Sequence, residues 1–150
     1  MPSVSDHEQI RDLIARYAHC ADDGRSSDYA DLYVPDGVIE TQGKTAVGRE
    51  QLIALIDGIY DYSIKHMQLN TSIQLDPDDP DRATAQTDLL MLAMDPASSW
   101  QISGCARYDD ELVRHGGRWL FRRRVCNWHR NTPAEVLAGL EQLLTGAPVG

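Results

Sequence analysis

The sequence predicts an α+β protein, with helices in the first sixty residues and a run of strands after them. Three observations carry this. Apolar residues recur at helical spacing in two separate stretches of the first sixty residues. From about His66 the pattern changes to alternation, apolar on one face and polar on the other. The strands follow one another as a meander with no helices between them, which excludes an α/β fold built on alternating units. The length of 150 residues fits one domain, residues 1–150.

Ser5 to Glu8, "SDHE", is a capping box ahead of the first apolar-periodic residue. The helix it opens runs to about Asp22 or Asp23, with Gly24 as its stop signal. Ile10, Ile14, Ala18 and Asp22 share one stripe, widened by Leu13, Tyr17 and Ala21. Ser27 is a candidate cap for a short helix over Asp28 to Val34, ended by Pro35. "VIET" reads as a short strand. "GREQLIALIDGIY" is a third helix, with Leu52, Ile53, Ile56 and Ile59 on one side. "KHMQLNTSIQL" alternates as a strand: His66, Gln68, Asn70 and Ser72 fall on one face, and Met67, Leu69, Thr71, Ile73 and Leu75 on the other. "DPDDPD" is a solvated turn. "RATAQTDLLMLAM", then "WQISGCARYDDELVRH" with a bulge near Gly104, then "WLFRRRVCNWH" after the tight turn "GGR" are three further strands. Thr132 at N-cap, Pro133 at N1 and Glu135 at N3 open a final helix.

Composition narrows the function classes. A net charge of −9 argues against nucleic acid and anionic membrane as partners, since both require basic surface. No apolar run approaches the ~18 residues of a membrane span. The N-terminus lacks the basic and apolar regions of a signal peptide. Cys20, Cys105 and Cys126 are odd in number and far apart, which fits reduced thiols in a cytoplasmic protein and neither a disulfide framework nor a zinc knuckle. There is no GxSxG, P-loop, GxGxxG or HExxH. What remains is acid–base chemistry by a histidine, carboxylates, a tyrosine and an arginine.

Asp22 ends an apolar stripe, so it either faces water at a frayed helix end or points inward to orient a base. His66 opens a strand with a polar face, which fits solvent or a wet pocket. Asp88 is a carboxylate among apolar neighbours; burial there costs several kcal/mol unless it is hydrogen-bonded or paired, for instance with an arginine of the last strand. Arg122 and Arg124 point one way by alternation and Arg123 the other. Tyr17 is a core or pocket residue, Met91 fills core or pocket, and Trp128 lies at a rim or in packing.

Taken together, "RYAHCADDG", "PDGVIE", a His-x-x-x-Asn at the start of a strand, "TD" in the next strand and "RYDDELVRHGGRWLFRRRV" resemble the SnoaL-like, scytalone dehydratase-like branch of the nuclear transport factor 2-like superfamily. The resemblance covers about Ser5 to Arg130. It implies a cone-shaped α+β barrel, in which a strongly curved antiparallel sheet wraps around about three N-terminal helices, with a deep apolar pocket in its mouth. It implies His66 as base and Asp22 as the group that holds it. Tyr17 and Arg124 would polarise a carbonyl or protonate a leaving hydroxyl, and Asp88 would position Arg124 or a water. Asn70 matches the fourth residue after the histidine and, with Met91 and Trp128, is expected at the substrate. The activity so implied is a dehydratase-type lyase needing neither cofactor nor metal, on a small apolar hydroxy-carbonyl of polyketide, steroid or terpenoid type. The alternatives are an isomerase or polyketide cyclase with the same dyad, and a non-catalytic ligand-binding protein. A homodimer or homotrimer is expected. One departure is plain: the family's "RGD" and aromatic after the aspartate is here "DGRSSDY", so the loop there differs.

Overall fold

The structure is a computed structural model and describes residues 4–59 and 63–129. The helix expected from Thr132 lies outside the described residues. Three helices, α1 (Asp6–Asp22), α2 (Ser26–Ala30) and α3 (Gly48–Ile59), pack against a curved six-stranded sheet. The strands are β1 (Tyr33–Thr41), β2 (Lys44–Val47), β3 (Ile64–Leu75), β4 (Arg82–Met94), β5 (Trp100–His115) and β6 (Arg118–Trp128), in the order β2-β1-β6-β5-β4-β3. All neighbours are antiparallel except β1 and β6, which run parallel. This pair departs from the purely antiparallel expectation; helix α3 and the β3–β5 meander separate the two strands in sequence and supply the long crossover a parallel pair requires.

Helix α1 starts as the capping box predicts: the Ser5 side chain accepts the Glu8 amide at 3.3 Å. It stops because Gly24 enters the left-handed region, φ 66°, and the Arg25 amide reaches back to the Cys20 carbonyl at 2.9 Å. Ile10, Leu13, Ile14, Tyr17 and Ala21 are buried against the concave face of the sheet. That face alternates in from each strand: Ala85, Thr87 and Leu89 on β4, Tyr108, Asp110 and Leu112 on β5.

Three expectations need correction. Helix α2 ends at Ala30, before Val34, and its N-cap is Arg25, with no side-chain cap bond. Pro35 lies inside β1, where the register jumps from Tyr33↔Phe121 to Val38↔Arg123, so its missing N–H is not needed by the ladder. The jump requires Gly37, where a Cβ would come within 2.7 Å of the Tyr33 Cβ. Strand β2 was not expected at all; Gln42 and Gly43, both at positive φ, turn the chain back onto β1.

In β3 the predicted alternation holds only as far as Leu69. Asn70 adopts φ 53° and the pairing with β4 shifts between Leu69 and Ser72. This bulge moves Thr71, Ile73 and Leu75 to the inner side, while Met67 and Leu69 stay outside, 44% and 47% exposed. A second bulge, in β6 opposite Glu111 and Leu112, makes Arg122 the extra residue. Arg122 and Arg123 therefore both lie on the outer side, and Arg124 alone turns in.

Candidate active site

An acid in the last turn of a helix opposes the helix macrodipole, so Asp22 gains nothing from α1 itself. Its partners come from β3. Both carboxylate oxygens accept the His66 backbone N–H, at 3.1 and 3.2 Å, and Oδ1 lies 2.7 Å from His66 Nδ1. The Asp22 side chain is only 5% exposed and that of His66 6%. Lys65 Nζ stands 3.7 Å from Oδ2 and offsets part of the buried charge. A carboxylate can only accept, so the contact fixes the proton of a neutral imidazole on Nδ1. The lone pair is then on Nε2, which has no hydrogen-bond partner among the described residues.

His66 forms part of the wall of a cavity of about 750 Å³. Helix α3 supplies Leu55, Ile56 and Ile59, the sheet supplies Ile39, Met91 and Tyr108, and α1 supplies Tyr17 and Ala21. The volume suits a small multi-ring molecule. Two grooves of about 390 Å³ each lie on the outer face of the sheet, among Gln74, Thr84 and Glu111, away from His66. Burial pushes the phenols of Tyr29 and Tyr108 well above their usual range. Burial also raises Tyr17, partly opposed by the Arg124 charge. All three belong to the cavity wall, and burial keeps their phenols protonated. Cys126 shares the wall, and burial raises its thiol, so it is a neutral filler and not a nucleophile.

Arg124 is not where the sequence expectation puts it. It is fully buried behind the cavity wall, its guanidinium stacked 4.1 Å from the rings of Tyr17 and Tyr108 and 4.3 Å from Phe121. Nε and Nη2 donate to Asp110 at 2.7 Å each, and Nη1 donates to Gln68 Oε1 at 3.2 Å. Burial weakens the guanidinium's hold on its proton, but the attraction and hydrogen bonds of Asp110 outweigh it and keep Arg124 charged. Burial pushes the Asp110 carboxyl up against the pull of Arg124; the bidentate geometry keeps the pair ionised. Gln68 also donates to the Ile14 carbonyl at 2.7 Å, tying the arginine cluster to α1. Arg124 thus supports the floor under Tyr17 and is shielded from anything in the cavity.

Asp88 is also displaced from its expected role. It lies on the outer face, where Arg107 donates to it at 2.8 Å and Asn70 at 3.0 Å, and these bonds lower its carboxyl. The bulge at Asn70 carries that side chain outward with it. Asp88→Ala and Asn70→Ala should therefore leave ligand binding in the cavity unchanged, as a fluorescence titration would show; a large loss would place them back in the site. Asp110 does the work assigned to Asp88. Its signal was present: Tyr108, Asp110 and Leu112 alternate on one face of "RYDDELV". Tyr29, Tyr108 and Gln68 were likewise missed; alternation places Tyr108 with the inward set, but nothing local marks Tyr29.

Met91 and Trp128 stand at the cavity wall. Trp128 Nε1 donates to Thr41 Oγ1 at 3.1 Å, and its ring lies on Gly104, where a Cβ would meet Cζ3 at 2.7 Å. Gly104→Ala should push Trp128 into the cavity and weaken bulky ligands more than small ones, readable as a change in affinity ranking across a ring-size series. The structure thus gathers Tyr17, His66, Met91 and Trp128 around one space, with Asp22 behind His66. No group of three His, Cys, Asp or Glu residues that could hold a metal occurs among the described residues, and no described helix is long and apolar enough to cross a membrane.

Residues 2–125 match the SnoaL-like domain family. No curated protein sequence matches the chain. Among solved structures, an NTF2-like protein with a cystatin-like fold from Novosphingobium aromaticivorans is 25% identical over 88% of this chain and 87% of its own, with a TM-score of 0.76. A Mycobacterium tuberculosis protein of unknown function is 23% identical over 95% of this chain and 88% of its own, with a TM-score of 0.78, a likeness of fold. A Catenulispora acidiphila protein, in complex with S-DNPA, is 25% identical over 88% of this chain and 96% of its own, with a TM-score of 0.71.

Proposed function

Because the chain belongs to the SnoaL-like domain family, which includes polyketide cyclases and ring-modifying enzymes, we propose that it is a cofactor-independent dehydratase-type lyase. Its substrate is a small apolar hydroxy-carbonyl compound of polyketide, steroid or terpenoid type. The observation that carries this reading is the 2.7 Å contact between Asp22 and His66 Nδ1 at the wall of an open cavity.

His66 Nε2 takes a proton from the carbon next to the substrate carbonyl. The electron pair released forms the new double bond as the β-hydroxyl departs. The proton on the imidazolium, or one relayed through a phenol, leaves with that hydroxyl as water, and the dyad returns to its starting state. Asp22 keeps the imidazole in the Nδ1–H form and stabilises the imidazolium. Charge developing on the carbonyl oxygen is met by the phenol of Tyr17, whose ring lies 6.1 Å from that of His66, and not by Arg124, which is fully buried.

An isomerase or cyclase could use the same dyad, and the family's polyketide cyclases favour keeping that reading. Mass spectrometry of products from a panel of hydroxy-ketones separates them: a lyase product is lighter by one water, an isomerase product is not. His66→Ala should cut turnover by about 10²-fold or more on the true substrate, and a loss within about twofold would sink the assignment.

The outer face of the sheet carries Met67, Leu69 and Ile102, the last 65% exposed, beside Leu90 and Leu92. We place a homodimer or homotrimer contact there, to be checked by sedimentation velocity. The free thiols of Cys20, Cys105 and Cys126 fit a cytoplasmic protein.

A further inference from the structure

The cavity has a charge pattern unlike the rest of the chain. The protein carries 23 acidic residues, yet no Asp or Glu belongs to the described cavity wall. The wall's single Lys or Arg is Lys44, an exposed residue on β2 just past the Gln42–Gly43 turn. Lysine is rare here: Lys44 and Lys65 are the two in the sequence. Lys65 stands by Asp22, and most arginines sit in ion pairs, such as Arg107 with Asp88 and Arg123 with Glu40. Lys44 has no acid within ion-pair distance among the described residues.

We propose that the ligand of this cavity carries an anionic group, a carboxylate being the simplest, which lies at the mouth and is bound by Lys44 while the apolar body fills the space beside His66. The inference deepens the proposed function and rests on its cavity. The chemistry follows from the wall. Ile39, Leu55, Ile56, Ile59 and Met91 offer nothing to a charge, and a carboxylate among them would be left without partners. At Lys44 an anion keeps water on one side and gains an ammonium on the other. In a chain of net charge −9 such a cation also decides which end of an acidic molecule enters last.

The test uses two fluorescent probes that differ by one sulfonate, 8-anilinonaphthalene-1-sulfonate and N-phenyl-1-naphthylamine. Each is titrated into the wild-type chain, Lys44→Gln and Lys44→Arg, and the neutral probe is used to displace the anionic one. The expected result is that Lys44→Gln weakens the sulfonate probe by about three- to tenfold, leaves the neutral probe unchanged, and that Lys44→Arg restores binding. The loss should also shrink as salt is raised. An equal change for both probes, or none for either, overturns the inference, and so does failure of the neutral probe to displace the anionic one. Failure of the neutral probe to bind at all overturns it together with the cavity on which the proposed function stands. A fully active His66→Ala would overturn the proposed catalysis and leave the expected probe result intact, so the two readings fail separately.

Discussion

Asp22→Asn should leave a folded protein that has lost most of its turnover, by roughly 10²–10⁴-fold. The reason lies in the count of acceptors. Asp22 receives two donors from one residue, the His66 backbone N–H and the ring Nδ1–H. An asparagine has one carbonyl oxygen and one NH2 group. Turned to satisfy the backbone N–H, it presents its NH2 to Nδ1 and forces the ring proton onto Nε2, where the base is needed. Turned the other way, it sets its NH2 against the backbone N–H. Either arrangement spoils the site while keeping the volume. Turnover of the dehydration substrate, measured beside thermal stability, checks this. Equal activity with a changed ring environment would show that Asp22 is a structural acid.

The second large effect is on stability. Arg124→Met should lower stability by about 3–5 kcal/mol, because it strands the Asp110 carboxylate in a site with no exposure. At roughly 2–4 °C per kcal/mol for a chain of this size, the midpoint of unfolding should fall by about 10 °C. Arg124→Met with Asp110→Leu should recover much of that loss, since no buried charge then remains. A double-mutant cycle by denaturant unfolding measures the coupling. A cost as small as that of a surface ion pair would show that the three rings around Arg124 hold the cluster without the pair. The recovered double variant should also keep its affinity for the neutral probe, because Arg124 does not reach the cavity.

The order of elements was legible because its signals are local. The Ser5 capping box, the Gly24 stop and the alternation of "RATAQTDLLMLAM" each depend on a few neighbouring residues, and each is found in the structure. Asp22 was legible as a candidate because it interrupts the apolar stripe of its own helix, whereas His66 opens a polar strand face and its role came from the family resemblance. The misplaced faces in β3 and β6 trace to bulges. Alternation gives the face of a side chain only while the ladder keeps its register, and one extra residue reverses everything beyond it. Asn70 in β3 and Arg122 in β6 are such residues, and they account for the misplaced faces of Thr71, Ile73 and Arg122. Asp88 failed for a different reason. Its neighbours Leu89 and Met91 face inward, but it faces out beside Arg107, a partner 19 residues away that no local pattern reveals. A separation of 14 residues likewise hid the pairing of Arg124 with Asp110.

The account turns on one proton. It requires that the neutral His66 ring carry its hydrogen on Nδ1, against Asp22, and leave Nε2 free toward the cavity. Two-dimensional 1H–15N correlation of the histidine ring nitrogens near neutral pH, assigned by loss of the signals in His66→Gln, reads this directly. The expected spectrum shows a protonated Nδ1 and an unprotonated Nε2 for His66, with the pattern disturbed in Asp22→Asn. A proton on Nε2 in the wild-type protein would contradict the account, since His66 could then not act as the base on anything bound in the cavity.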